Sequence, residues 1–113
     1  MTTHVLDTAR GQPAAGLRVR LERVTSGAGS GQAGEPVASG STGPDGRLSD
    51  LGPAQLPGGT YRLIFDTGDY LVATAGHRFF PEVTVTFTID EREPHYHVPL
   101  LLSPFGYATY RGS

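Results

Sequence analysis

Hydrophobic residues recur at every second position over much of this chain. Leu17, Val19 and Leu21 alternate with Arg18, Arg20 and Glu22, and Val83, Val85, Phe87 and Ile89 alternate with Thr84, Thr86 and Thr88. A period of two is that of a β-strand with one face buried and the other free, so strands are predicted over 17–24 and 83–89. The threonine face of the second is left for solvent or for another subunit. Shorter strands are predicted over 3–8, 37–42, 61–65, 95–102 and 107–110, each bounded by Gly, Pro or Asp. The one helix candidate is 69–75, with Thr67 or Asp69 as its cap and Gly76 as its stop. Seven or eight short strands and one small helix predict an all-β antiparallel sandwich.

Two connections carry further information. In Gly43-Pro44-Asp45-Gly46 the proline supplies a fixed φ and the last glycine a positive one, so the chain reverses there and leaves Arg47 on a stiff corner. Ser26 to Gly34 is built of small residues and reads as a mobile loop without chemistry.

At 113 residues the chain lies below the ~150 at which a second domain comes into question, so a single domain is expected over 1–113. A hydrophobic fraction of 37% is enough for a packed core. The formal charge of −2 gives no broad electrostatic handle for nucleic acid or an anionic membrane, and neither partner is expected. There is no cysteine, which excludes thiol nucleophiles, disulfides and thiolate zinc sites. No apolar run approaches the ~18 residues of a membrane span, and Met1 to Asp7 lacks the pattern of a leader, so a soluble cytoplasmic protein is expected.

Chemistry is then left to His, Ser, carboxylates or a bound water. His95 and His97 stand two apart on a predicted strand and share a face, while Tyr96, Val98 and Leu100 point to the core. Such a pair is compatible with a solvated surface, with a zinc pair that lacks a third ligand nearby in sequence, or with an acid/base pair in which each imidazole lowers the proton affinity of the other. His4 falls near a chain end that would ordinarily fray. Arg47 offers a forked guanidinium suited to a planar anion, although such arginines commonly face water. No Gly-x-Ser-x-Gly elbow supports a serine nucleophile. The ending Tyr107 to Ser113 is unusual in placing two tyrosines on a strand before Arg111-Gly112-Ser113. It reads either as a frayed edge strand or as a segment folded into a cavity.

Three stretches resemble the transthyretin-related 5-hydroxyisourate hydrolases: His4-Val5-Leu6-Asp7-Thr8-Ala9-Arg10-Gly11-Gln12-Pro13-Ala14, the turn Asp45-Gly46-Arg47, and His95-Tyr96-His97-Val98-Pro99-Leu100-Leu101-Leu102-Ser103-Pro104-Phe105-Gly106-Tyr107-Ala108-Thr109-Tyr110-Arg111-Gly112-Ser113. The hormone carrier of the same fold shares Leu101-Leu102-Ser103-Pro104 but lacks the Tyr-Arg-Gly-Ser ending and the paired histidines. The resemblance implies a transthyretin-like eight-stranded sandwich with one short helix, assembled as a homotetramer, a dimer of dimers, around a central channel. It implies hydrolytic ring opening of 5-hydroxyisourate, the small-molecule product of urate oxidation, with no metal and no organic cofactor. The family's catalytic set falls on His4, Arg47, His97 and Ser113, and its substrate-binding set on Arg47, Tyr110, Arg111, Gly112 and Ser113. His95 matches a common family residue and is taken as a neighbour. On this reading His97 or His4 deprotonates a water and Arg47 receives the urate-like oxygens. Two rival readings are a carrier of a small aromatic ligand and a structural zinc domain using His4, His95 and His97.

Overall fold

The computed structural model describes residues 1–25, 33–93 and 95–112. Among these, the strands are β1 (Thr2–Asp7), β2 (Gln12–Pro13), β3 (Arg18–Val24), β4 (Gly34–Ser41), β5 (Arg47–Leu48), β6 (Gly59–Phe65), β7 (Val83–Ile89), β8 (His97–Ser103) and β9 (Gly106–Thr109), with helix α1 (Thr67–Ala75) between β6 and β7. One sheet runs β4-β3-β6-β7. The other runs β2-β1-β8-β9, with β5 also paired to β1. Most of the predicted loop Ser26 to Gly34 lies outside the described residues, and Gly34 itself opens β4.

The alternating strands form where the pattern placed them, and β7 has the predicted bounds. Their inward residues, among them Val19, Leu21, Leu63, Phe65, Val83, Val98, Leu100 and Leu102, make one buried cluster between the sheets. Each such side chain contributes roughly 1.5 to 3 kcal/mol on leaving water. Three features depart from expectation. The sandwich is not wholly antiparallel, because β1 and β8 run parallel from Thr2 opposite His97 to Asp7 opposite Leu102. Parallel neighbours need a long crossover, and here the whole second sheet supplies it. The strands β2 and β5 are two residues long, too short for any periodicity to announce. The helix begins at Thr67 with Asp66 as its cap, and Asp66 makes no capping side-chain bond. Its first turn is tied instead to the segment before β7, through Thr67 Oγ1 donating to Phe80 O (2.7 Å) and Gly68 N to Pro81 O (2.9 Å). Gly76 closes the helix in the left-handed conformation, its N–H on Val72 O.

β1 is not a frayed end. It lies between β8 on one edge and β5 and β2 on the other, and Met1 is buried beneath its start. At its far end Asp7 is buried, accepting from Tyr70 Oη (2.8 Å) and from Arg10 N (3.0 Å), which ties the strand to α1.

No helix among the described residues is long and apolar enough to cross a membrane.

Candidate active site

The outer face of the β1 sheet gathers the predicted residues. Along β1 the side chains alternate, with Thr3, Val5 and Asp7 buried and Thr2, His4 and Leu6 on the other face. Thr2 is opposite His97 in the parallel pair, and His4 is opposite Arg47 in the antiparallel one. Opposite residues share a face, so Thr2, His4, Arg47 and His97 stand together. Thr2, Thr3, Arg47, Ser49, His95 and His97 line a concavity of about 220 Å³. A larger one, about 680 Å³, lies between α1 and the β1–β2 connection, bordered by Arg10, Arg18, Asp66 and Tyr70, and includes none of these histidines.

Backbone geometry fixes Arg47. Gly46 N donates to Gly43 O (2.9 Å), Gly43 N to Arg47 O (2.9 Å) and Arg47 N to Asp45 Oδ1 (3.0 Å). Gly46 has φ +77°, and its carbonyl receives Val5 N (2.8 Å). A Cβ there would stand 2.4 Å from Val5 O, so the turn requires glycine both for its φ and for its closeness to β1. The Arg47 side chain is about half exposed and lies 4.0 Å from the Asp45 carboxylate. An exposed pair at that distance leaves the guanidinium available to a ligand.

His4, His95 and His97 each have one engaged nitrogen. His4 Nε2 is 2.9 Å from Asp45 O, and since a carbonyl only accepts, His4 carries a proton on Nε2. His97 Nδ1 is 2.7 Å from Thr2 Oγ1, which leaves its Nε2 as the nitrogen open to the concavity. The proton affinity of His97 is lowered, first by burial and then by the charges of Arg47, His4 and His95, against a smaller opposing effect of a Thr2 backbone hydrogen bond. Its neutral form therefore dominates near neutral pH, as a general base requires. His95, just before β8, is exposed and places Nε2 3.4 Å from the same Thr2 hydroxyl.

The ending separates into two sides. Gly112 pairs with His97 and donates its N–H to His97 O (2.8 Å). A Cβ on Gly112 would fall 2.5 Å from His97 Cδ2, so the backbone here packs directly on the imidazole. Between this bridge and the last pair of β8 with β9, Leu100 opposite Thr109, Arg111 falls on the core side. The Arg111 guanidinium accordingly lies over the Tyr96 ring at 4.4 Å, with Nη2 3.5 Å from His95 O and 3.8 Å from Glu93 Oε2. The structure thus brings His4, Arg47, His97 and Gly112 to one face and holds Arg111 away from it, while Tyr110 lines a different hollow together with Phe87, Tyr96 and Val98. Ser113 lies outside the described residues.

Sequence reasoning missed two contributors. Thr2 links both histidines of the His-x-His pair, and Asp45 holds His4 through its carbonyl and the Arg47 backbone through its carboxylate. Asp45 sits within the recognised turn, but the contact of Thr2 depends on the parallel register of β1 and β8, which no local pattern encodes. Among the described residues no three His, Cys, Asp or Glu side chains converge closely enough to hold a metal ion.

The model of the HIUase/Transthyretin family matches residues 1–112. The chain is 48% identical to a 5-hydroxyisourate hydrolase of Deinococcus radiodurans, over all of this chain and 95% of that one. Its fold is similar to the solved 5-hydroxyisourate hydrolase of Klebsiella pneumoniae, with a TM-score of 0.83 and 35% identity over 99% and 97% of the two chains. It is also similar to sea bream transthyretin in complex with thyroxine, with a TM-score of 0.88 and 30% identity over 98% and 92%. Backbone similarity alone therefore does not separate hydrolase from carrier, while sequence identity runs higher toward the hydrolases. The chain belongs to the HIUase/Transthyretin family.

Proposed function

We propose that this chain is a 5-hydroxyisourate hydrolase and that its reaction occurs on the outer face of the β1 sheet. The observation that carries the reading is His97, neutral near pH 7 and with Nε2 open, set on the same face as the Arg47 guanidinium. His97 Nε2 takes a proton from water as the water oxygen bonds to a ring carbonyl carbon of the substrate. The electron pair of the C=O moves to oxygen, where Arg47 offsets the charge. Collapse of that adduct breaks the ring C–N bond, and His97 returns its proton to the departing nitrogen. The product is 2-oxo-4-hydroxy-4-carboxy-5-ureidoimidazoline. No cofactor enters the scheme.

His4 gives its Nε2–H to Asp45 O, so in its neutral form it offers only the lone pair of Nδ1, which receives a hydrogen from the water or the substrate. His97, which lines the concavity and has a lowered proton affinity, is taken as the base. The proposed substrate-binding set also includes Tyr110, Gly112 and Ser113, of which Gly112 packs on His97. Arg111, held on Tyr96, contributes by fixing the course of the last residues and so the packing of Gly112 on His97.

The reading includes a single domain over 1–113 and assembly of four copies as a dimer of dimers, with this face turned toward a central channel. Support for the assembly comes from apolar residues on the face of the polar cluster, Leu6 and Leu101, which are only partly covered, a composition suited to burial against another copy. The thyroxine complex of the similar sea bream protein favours one alternative, a carrier that binds a small aromatic ligand without turnover. Loss of freshly generated 5-hydroxyisourate, followed by ultraviolet absorbance with and without the protein, decides between them. Acceleration above the spontaneous rate supports the hydrolase; saturable binding at the spontaneous rate supports the carrier.

A further inference from the structure

The hydroxyl of Thr2 lies between two imidazoles, 2.7 Å from His97 Nδ1 and 3.4 Å from His95 Nε2. A threonine hydroxyl donates once and accepts twice, so a continuous donor-to-acceptor chain through the three groups can run in two directions. In one, Thr2 donates to His97 Nδ1, and neutral His97 then carries its proton on Nε2, the nitrogen facing the concavity. In the other, His97 Nδ1–H donates to Thr2 Oγ1 and the Thr2 hydroxyl donates onward to His95 Nε2. Only the second leaves a lone pair on His97 Nε2.

We infer that Thr2 is a positioning residue that receives Nδ1–H of His97 and passes its own hydroxyl hydrogen toward His95, so that His97 presents an unprotonated Nε2 to the substrate. The inference rests on the hydrolase reading for its kinetic consequence but not for its structural content. Geometry supports it in three ways. Thr2 is fixed by the pairing of β1 with β8 directly opposite His97. Its backbone N–H is bonded to Tyr96 O (3.0 Å), so the strand start cannot swing away. Gly112 closes the opposite edge of the ring, where even a Cβ has no room, leaving the imidazole one orientation between Thr2 and the last residues. The charged and titratable groups that bear on His97 are Arg47, His4 and His95. Of these His95 alone reaches the Thr2 hydroxyl, and being exposed it connects that end of the chain of bonds to solvent.

The test uses the full chain labelled with ¹⁵N-histidine, with the tautomer of neutral His97 read from the ring nitrogen shifts in the parent, Thr2→Val and Thr2→Ser proteins. Valine keeps the shape and removes the hydroxyl; serine restores it. The inference expects the parent ring to carry its proton on Nδ1, the valine variant to shift toward the Nε2–H form, and the serine variant to return to the parent form. Turnover should follow, with kcat down about tenfold in Thr2→Val, KM little changed, and most of the loss recovered in Thr2→Ser. A parent His97 protonated on Nε2, or a tautomer unmoved by Thr2→Val, overturns the inference whatever the kinetics. A parent protein with the expected tautomer and no turnover supports the role of Thr2 and overturns the hydrolase reading alone.

Discussion

His4 and Arg47 face each other across two short antiparallel strands, and one residue, Asp45, anchors both, its carbonyl receiving His4 Nε2 and its carboxylate the Arg47 backbone. The turn that carries Arg47 is thereby locked to the strand that carries His4. What is held in place is a planar fork of donors, and a lysine cannot reproduce it. Arg47→Lys should keep the fold and the melting temperature while lowering kcat/KM for 5-hydroxyisourate by about 10²-fold, the cost of losing one well-placed oxyanion donor. Unchanged kcat/KM would remove Arg47 from the chemistry.

Burial first, and then the electrostatic influence of Arg47, His4 and His95, lower the proton affinity of His97 below the ordinary value of 6.5. A general base works in its neutral form, which prevails above the pKa. The rate should therefore rise along a limb centred below pH 6.5 and be level above about pH 7. Removing one cation by Arg47→Gln raises the His97 pKa, and the limb should move to higher pH even as the rate falls. A limb that moves down, or does not move, would contradict the electrostatic coupling of the two residues.

Gly112 sits where a methyl group would fall 2.5 Å from His97 Cδ2. In Gly112→Ala either the imidazole rotates off Thr2 or the last residues leave the pocket. Turnover should drop at least tenfold with thermal stability nearly unchanged, since Gly112 is far along an exposed ending. Full activity would show that the last residues are not packed on His97 in the working enzyme.

The far end of β1 provides a control. Tyr70→Phe removes a hydrogen bond to the buried Asp7 carboxylate, and should destabilise the fold by about 1 to 3 kcal/mol in denaturant titration. Activity of the folded fraction should stay at the parent level, because Asp7 points to α1 and away from His97. A parallel loss of activity would mean that the face is coupled to the helix.

Much of this arrangement was legible in the chain. Strands β3 and β7 declare themselves by strict alternation, Gly76 by its position after a helical run, and the outward histidines by the apolar set Tyr96, Val98 and Leu100 between and beyond them. Local patterns could not reveal the parallel pairing of β1 with β8, which brings residues 2 and 97 together, and so could not reveal the role of Thr2. Nor could they place Arg111. The register of the ending, which follows from β9, turns that side chain onto Tyr96 and away from the histidines. What a residue contacts across strands is set by topology, and topology is the collective outcome of core packing.

The most direct test of the central claim, that the His97 face catalyses ring opening of 5-hydroxyisourate, is the ultraviolet decay of the freshly generated compound with parent protein and with folded His97→Ala at equal concentration. The account predicts rapid decay with the parent and a rate about 10² to 10⁴-fold lower with the variant, close to the spontaneous background. Equal rates for the two proteins would contradict it.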